Sequence, residues 1–366
     1  MNRRNFLRNA TLGTGLVAVA PANLLAANKK HSKKVATRLP VSGYVKEPAR
    51  EIPVVASADV VVVGGGPAGF AAAVSAARQG CSVILIERYN HLGGLWTGGL
   101  VLPVLSTHGA GPGDVWTKAV GGICDEICGR LFEIGMARNE IRPMVDPEAC
   151  KYMLDEMCRE AGVQTVFFST AAQVTMSGNR IEAVILETKS GRVAVRCRAA
   201  VDCSGDGDLM EWTGVPHREM KYHIGLVARL GGVDRVDDSV PGFKRQRLGG
   251  STPIKGVTMR HMRGEEQQDG LDVFNLTRLQ QKFRKEIWED TEALKRKPGY
   301  QDVFLLDTAS QLGVRVTRVL DAQHVLTLEE SMTHAVFPDV IGMSGASDPI
   351  PYNGTTVPTK QRPCWQ

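Results

Sequence analysis

Acidic residues are absent from the first 38 positions, which hold eight Lys and Arg (Arg3, Arg4, Arg8, Lys29, Lys30, Lys33, Lys34, Arg38) and no Asp or Glu. That gap changes the meaning of the formal charge. The whole chain of 366 residues carries +5, yet from position 39 onward 36 basic residues face 39 acidic ones, a net of −3. The basic character belongs to the N-terminal stretch, and a nucleic-acid partner is excluded for the remainder. Long apolar runs are also missing: no later segment approaches the roughly 20 apolar residues that a membrane-spanning helix needs. No internal repeat is present, and no C-x-x-C-x-x-C spacing suggests an iron–sulfur site. Eight cysteines are too sparse for a disulfide scaffold in a chain of this size. With 43% hydrophobic residues the chain is expected to be globular, and its length suits two domains.

The N-terminal stretch reads Asn2-Arg3-Arg4-Asn5-Phe6-Leu7-Arg8, then a weakly apolar run from Ala10 to Ala27 broken by Gly13, Gly15 and Pro21. It resembles a twin-arginine export signal, which a translocase reads on proteins that cross the membrane folded. Small residues offer cleavage after Ala22 or Ala27, giving residues 1–27 as signal peptide and a periplasmic or extracellular destination. An uncleaved amphipathic anchor is the alternative. A protein folded in a reducing cytoplasm before export has no need of disulfides. Cys124 and Cys128, four apart on an expected helix, meet on one face as thiols, a metal half-site or a redox pair, or serve as small half-buried apolar residues.

Residues 28–52 are polar, basic and without periodicity, and read as a linker. The first strong element is Asp59-Val60-Val61-Val62-Val63, a β-branched run suited to a central parallel strand. Gly64-Gly65-Gly66-Pro67-Ala68-Gly69 turns the chain into an Ala-rich helix, Phe70 to Gln79, stopped by Gly80. Ser82-Val83-Ile84-Leu85-Ile86 is the next strand and ends at Glu87, completing a βαβ unit. Asp146 and Pro147 are the N-cap and first residue of a helix to about Ala161, with Gly162 as its stop. Short apolar pieces at 164–168, 172–176, 181–187 and 193–198, separated by turn signals, predict a strand and a β-meander. Ala199-Ala200-Val201-Asp202 is expected as a further buried strand. Beyond Val215 the pattern is mixed, with a charged helix near 276–297 and a strand near 302–306. The expected organisation is a Rossmann-type domain over 53–214, a second α+β domain over 215–350 that takes the substrate, and an irregular tail over 351–366.

Gly64-x-Gly66-x-x-Gly69 gains its force from its setting between strand and helix, with an acidic residue ending the next strand 18 positions after Gly69. Gly64 permits the tight turn, Gly66 lets backbone approach a pyrophosphate, and Gly69 allows close helix–strand packing. The helix N-terminus that begins at Pro67 offers the N–H groups of Ala68 and the following residues and a positive dipole end. Glu87 is placed to accept hydrogen bonds from a ribose. Directly after it, Arg88 to Gly99 holds two glycine pairs, Gly93-Gly94 and Gly98-Gly99. Such a loop suits a flavin nucleotide, which needs backbone N–H groups without side chains in the way. Val201 to Asp208 returns a strand to the same place.

These stretches, with Glu47-Pro48-Ala49-Arg50, Trp96-Thr97, Ile224 to Arg229 and Leu312 to Arg318, resemble the FAD-dependent oxidoreductases with a glutathione-reductase-like flavin domain. More specifically they resemble the relatives of the flavoprotein subunit of heterodisulfide reductase, over about residues 44–350. The resemblance implies non-covalent FAD on an α/β fold: a Rossmann-like parallel sheet with a β-meander, the flavin ring at the domain boundary. The residues so implied are Gly64, Gly66, Pro67, Ala68, Gly69, Glu87, Arg88, Gly93, Gly94 and Thr97, with Ala172 approaching the adenine and Gly205 and Asp206 near the pyrophosphate or ribityl chain. Two departures stand out. Cys203-Ser204 replaces the usual Thr or Ala before the glycine, and the family's C-terminal strand, Gly-rich flavin contact and closing helix have no counterpart in 353–366. The implied activity is hydride transfer from a small organic substrate to an unidentified electron acceptor, with a nucleotide-binding remnant without turnover as the alternative. Candidates near the substrate are His217, His223, His261 and His324 as proton donors or acceptors, and Arg315 and Arg318 as a carboxylate clamp. No metal site is expected.

Overall fold

The computed structural model describes residues 47–105, 107–110, 116–118, 120–327, 329–330 and 337–338. All of them fall within the compact unit Tyr44–Gln366. The expected export signal and the tail from 351 lie outside the described residues.

The first half begins with β1 (Val54–Val63), α1 (Pro67–Arg78) and β2 (Val83–Ile86). Two short hairpins, β3 (His108–Ala110) with β4 (Trp116–Lys118) and β5 (Ala137–Arg138) with β6 (Met144–Val145), flank α2 (Gly122–Glu133). Then come α3 (Pro147–Ala161), β7 (Gln164–Val166), β8 (Thr170–Ser177), β9 (Arg180–Thr188), β10 (Gly191–Asp202) and α4 (Asp208–Thr213). Their six-stranded sheet has the order β7-β2-β1-β10-β9-β8. The first four strands are parallel and the last three form the antiparallel meander.

Period-two alternation sends neighbouring residues of β1 and β2 into different cores. Val62, Val83 and Leu85 pack with Phe70, Ala73 and Val74 of α1 and with Cys150, Leu154 and Met157 of α3. Val61, Val63, Ile84 and Ile86 pack instead with Val174, Val184 and Leu186 of the meander and with Leu209. Both faces of the strands are thereby covered, the condition that an all-apolar strand requires. The cap of α3 is the one its sequence announces: Asp146 accepts from Glu148 N and Ala149 N at 3.0 Å each, and Gly162 closes the helix with φ +79°.

One expectation is corrected here. Residues 193–198 and 199–202 are a single strand, β10, whose first part pairs antiparallel with β9 while Ala194 to Asp202 pair parallel with β1. No turn residue interrupts it, so the change of partner leaves no break in the chain.

The second half holds β11 (His217–Glu219), β12 (Lys221–Gly231), β13 (Gly250–Ser251), β14 (Thr258–Asp269), α5 (Val273–Lys295), β15 (Phe304–Thr308), β16 (Gly313–Val314) and β17 (Arg318–Leu320). An antiparallel sheet of order β13-β14-β12-β15, with β16 also on β12, is covered by α5 through Leu279, Phe283 and Ile287. Leu100 and Leu102 from the first half complete that core. The six-stranded and the antiparallel sheet are the two larger of five sheets among the described residues, the others being two-stranded. Among the described residues no helix is long and apolar enough to cross a membrane.

Candidate functional site

The carboxyl ends of β1, β2, β7 and β10 open onto one cavity of about 880 Å³. It lies where strand order reverses about β1, the place where open α/β sheets bind their ligands. The connecting loops continue the sheet ladder: Gly64 N donates to Ile86 O at 2.8 Å, Glu87 N to Val166 O at 2.9 Å and Cys203 N to Val63 O at 2.8 Å.

The three fingerprint glycines act differently. Gly64 has φ +98°, and a Cβ there would overlap the Cys203 carbonyl. A Cβ on Gly69 would overlap the Gly64 carbonyl, so both glycines draw the turn, α1 and the end of β10 together. Gly66 has extended backbone, and its Cβ would meet nothing closer than Gly94 Cα at 4.0 Å. It faces the cavity. Behind it α1 starts with Pro67 and has no side-chain cap, leaving first-turn N–H groups for an anion.

Glu87 is buried at 5% exposure beside this turn. Its Oε2 accepts from Gly65 N at 2.7 Å and its Oε1 from Tyr89 N at 2.8 Å, so the carboxylate is held rigidly on the wall. Each oxygen keeps a second lone pair for a ribose hydroxyl. Gly94 lines the cavity, whereas Gly93 and Thr97 do not: Gly93 N donates to Gly65 O at 2.8 Å and Thr97 Oγ1 to Leu92 O at 2.6 Å. These two, like Gly69, shape the loop from behind.

Asp206 and Gly205 line the cavity at the end of β10, and Asp206 is anchored from the second half. Thr317 Oγ1 donates to its carboxylate at 3.1 Å, Arg318 Nη1 to its carbonyl at 2.8 Å, and Arg88 stands 3.9 Å away. Arg318 also pairs with Asp208 at 3.2 Å and Glu211 at 3.1 Å. Its charge is spent inside the protein, which removes it as a substrate clamp. Burial holds the Asp208 carboxyl above the usual carboxylate range, with the nearby Asp206 charge adding to it and Arg318 opposing.

The remaining wall comes from α5 and the 310–315 turn, with Thr277, Gln280, Gln281, Arg284, Gln311 and Arg315 as its polar members. Ser310 Oγ and Gln311 N both donate to Gly98 O at 3.2 Å, tying this wall to the second glycine pair. Of the expected catalytic candidates whose side chains are described, Arg315 alone lines the cavity; the side chain of His261 lies outside the described part. His217 is fixed on β11 between Val215 O at 2.9 Å and Glu211 at 2.9 Å. His223 lies on β12 across from Gly264, and His324 is a surface partner of Glu330 at 3.3 Å. Ala172 also misses the cavity, which Ser169, Thr170 and Ala171 line instead. The reason is a bulge: Ala171 pairs with Leu186 and Gln173 with Ile185, leaving Ala172 as the extra residue. Sequence reasoning missed Gln280, Gln281 and Arg284, although their three-and-four spacing along a charged helix carries a signal.

Cys124 and Cys128 do meet on α2 as thiols. The bond from Cys128 lowers Cys124 to about 7 against the effect of its own burial, and the Cys128 thiol is pushed well up. Among the described residues no cluster of three metal-ligating side chains occurs.

The family described as FAD dependent oxidoreductase matches residues 59–241 and 229–348 of this chain. Digeranylgeranylglycerophospholipid reductase 1 of Methanopyrus kandleri is 30% identical over 151 residues, 40% of this chain and 39% of that protein. The reductase of the same description from Picrophilus torridus is 24% identical over 267 residues, 66% of this chain and 62% of that one. A geranylgeranyl bacteriochlorophyll reductase-like structure from Thermoplasma acidophilum covers 70% of this chain and 66% of its own, at 16% identity and a TM-score of 0.41. The chain spans about two fifths of the length of the Methanopyrus relative. Its match over most of its length to one family model, on the strands and loops that build the cavity, shows that the chain belongs to the FAD dependent oxidoreductase family.

Proposed function

We propose that this protein holds FAD along the carboxyl ends of its parallel strands and oxidises a small organic substrate at the α5 wall. One observation carries the reading: at Gly66 a Cβ would enter the cavity itself, at the uncapped start of α1, so a space beside free N–H groups is kept clear by glycine. The residues present fit the group. Gly66, Pro67 and Ala68 would hold the pyrophosphate, Glu87 a ribose, and Gly94, Gly205 and Asp206 the chain between pyrophosphate and ring. When bound, FAD supplies a two-electron acceptor for a hydride equivalent and passes both electrons on to an external acceptor. The protein's own part is to position: Glu87 is locked by two backbone donors, and Arg318 with Thr317 holds Asp206 in place. The finer kinship to the flavoprotein-subunit relatives of heterodisulfide reductase rests on the glycine pairs and on Gly313 to Arg318. The Methanopyrus and Picrophilus reductases are named for geranylgeranyl lipids, and a C20 isoprenoid therefore belongs in any substrate panel.

The acid-free leader with Arg3-Arg4 supports delivery beyond the cytoplasmic membrane after cofactor loading. Replacing Arg3→Lys and Arg4→Lys together is expected to retain a reporter fused behind residues 1–38 in the cytoplasm. For the cofactor the test is the absorption spectrum of the purified protein, followed by release and identification of the chromophore. Flavin bands and released FAD are expected. A folded, colourless protein that takes up no added FAD overturns the reading.

A further inference from the structure

The α5 wall differs in chemistry from the nucleotide trough. Residues of α5 reach the cavity at 273, 276, 277, 280, 281 and 284, the spacing of one helix face. Along that face Val273 and Leu276 are apolar, the next three are uncharged and polar, and Arg284 is cationic. Arg315, just beyond β16, adds a second guanidinium to the same cavity. The segments 270–284 and 310–315 place no Asp or Glu on it.

The two guanidinium groups have no ion-pair partner among the described residues, unlike Arg88, Arg229 and Arg318, which all face carboxylates. The amide nitrogens of Gln280 and Gln311 are buried and meet no acceptor in the protein. Gln311 is only 7% exposed, on the cavity wall. Two cations without an ion-pair partner, beside apolar Val273, Leu276 and Leu312, complement an anion with an apolar body.

Resting on the flavoenzyme reading above, we propose that the substrate carries a carboxylate, taken up by the positive charge of Arg284 and Arg315, while its apolar body lies against Val273, Leu276 and Leu312. Guanidinium groups suit this ligand because their forked N–H donors match a carboxylate's two oxygens.

The test uses the full-length protein, with flavin content measured on the same preparation. Phenylacetate, hexanoate and succinate are titrated by calorimetry beside their neutral amides and beside geranylgeraniol. At least one acid is expected to bind roughly ten- to a hundredfold more tightly than its amide, the equivalent of a charge-assisted hydrogen bond. That preference is expected to fall to near unity in Arg315→Gln and to shrink in Arg284→Gln, while FAD content and thermal unfolding stay at the parent's values. Retention of the preference in both variants overturns the proposal. So does a panel in which no acid outbinds its amide, or in which geranylgeraniol alone binds and ignores the substitutions. Because calorimetry reads acid binding on flavin-loaded and flavin-free protein alike, a colourless preparation defeats the cofactor reading without deciding this one.

Discussion

The nucleotide trough and the α5 wall face each other across one cavity, but they are built from different materials. The trough is backbone: its loops are hydrogen-bonded onto the ends of four strands, and its free surface is kept by glycines. The wall is side chains, carried on one face of a helix and on a short turn. Backbone walls specify shape to a fraction of an ångström and tolerate almost no substitution at the glycines that make them. Side-chain walls keep their scaffold when one residue is exchanged, because the core of α5, Leu279, Phe283 and Ile287, lies on the adjoining stripe of the helix. The difference predicts how each region fails: the trough through folding at the glycines that hold its turn together and through cofactor alone at the glycine that faces the cavity, the wall through ligand preference alone.

The largest expected effect is at Gly69 and Gly64. Alanine at either puts a methyl group onto a neighbouring backbone carbonyl, which cannot rotate away as a side chain would. At Gly64 the φ of +98° adds left-handed strain. Each substitution is expected to cost roughly 3–5 kcal/mol, summing overpacking and backbone strain, a large part of a typical domain's stability. Gly66→Ala sharpens the contrast, because its methyl group meets open cavity. Denaturant unfolding is expected to stay within about 1 kcal/mol of the parent for Gly66→Ala while FAD affinity drops tenfold or more, roughly the loss of one good polar contact. Equal unfolding midpoints for Gly66→Ala and Gly69→Ala would defeat the distinction.

Glu87→Gln comes next. The carboxylate accepts from two backbone N–H groups, and an amide can satisfy only one of them while setting an NH₂ group against the other. Destabilisation of about 1–3 kcal/mol is expected, with weaker FAD binding. Unlike the wall's arginines, Glu87 serves loop and ligand at once, so stability and affinity should fall together in unfolding and FAD titrations. A variant that loses affinity at unchanged stability would assign Glu87 to the ligand alone.

The same difference governs what was legible in the sequence. A backbone trough announces itself through residues that nothing else replaces, and Gly64, Gly66, Gly69 and Glu87 stand where their spacing puts them. So does the cap at Asp146. What was not legible depends on pairing. β14 carries Arg260, Glu265 and Glu266 and lies in the stretch beyond Val215 whose pattern is mixed, yet Glu265 pairs with Lys282 and Asp290 lies 3.7 Å from Arg260, so α5 supplies the partners that make the strand acceptable. α5 itself begins a turn before the expected start, because Asp272 caps it through Phe274 N and Asn275 N. Ala172 failed for a local reason, since one bulged residue reverses strand parity. The histidines failed because a residue type says nothing about which neighbours already hold it, as Glu211 holds His217.

Cys124 belongs to neither wall. It lines a separate, mostly apolar pocket of about 330 Å³ with Phe70, Leu95, Trp96 and Ile127. The bond from Cys128 lowers its thiol to about 7, whereas burial pushes Cys150, Cys197 and Cys203 up. Alkylation followed by peptide mass spectrometry is expected to label Cys124 first, with a rate that rises through pH 7, and Cys128→Ala is expected to move that midpoint upward. A midpoint at the ordinary thiol value of about 8.5 or higher in the parent would show the thiol pair to be without effect.

The smallest effect lies at the far end of the strands that build the trough. Asp59 on β1 accepts from Ser82 Oγ at 2.7 Å and Ser82 N at 2.9 Å, with Arg198 at 3.1 Å, and these bonds hold its carboxyl at about 2, Ser82 contributing most. A carboxylate depressed in the folded state stabilises the fold fully above its unfolded value of about 3.9 and loses that contribution as pH falls through the folded value. Unfolding midpoints of the parent are therefore expected to decline between about pH 4 and pH 2 more steeply than those of Asp59→Asn. Because the group sits at the surface, the difference should be small, and at neutral pH the variant should bind FAD as the parent does. A measurable loss of FAD in Asp59→Asn would mean that strain at the amino ends of β1 and β2 reaches the glycine turn at their other ends, and the trough could then no longer be treated as rigid backbone set apart from the rest of the sheet.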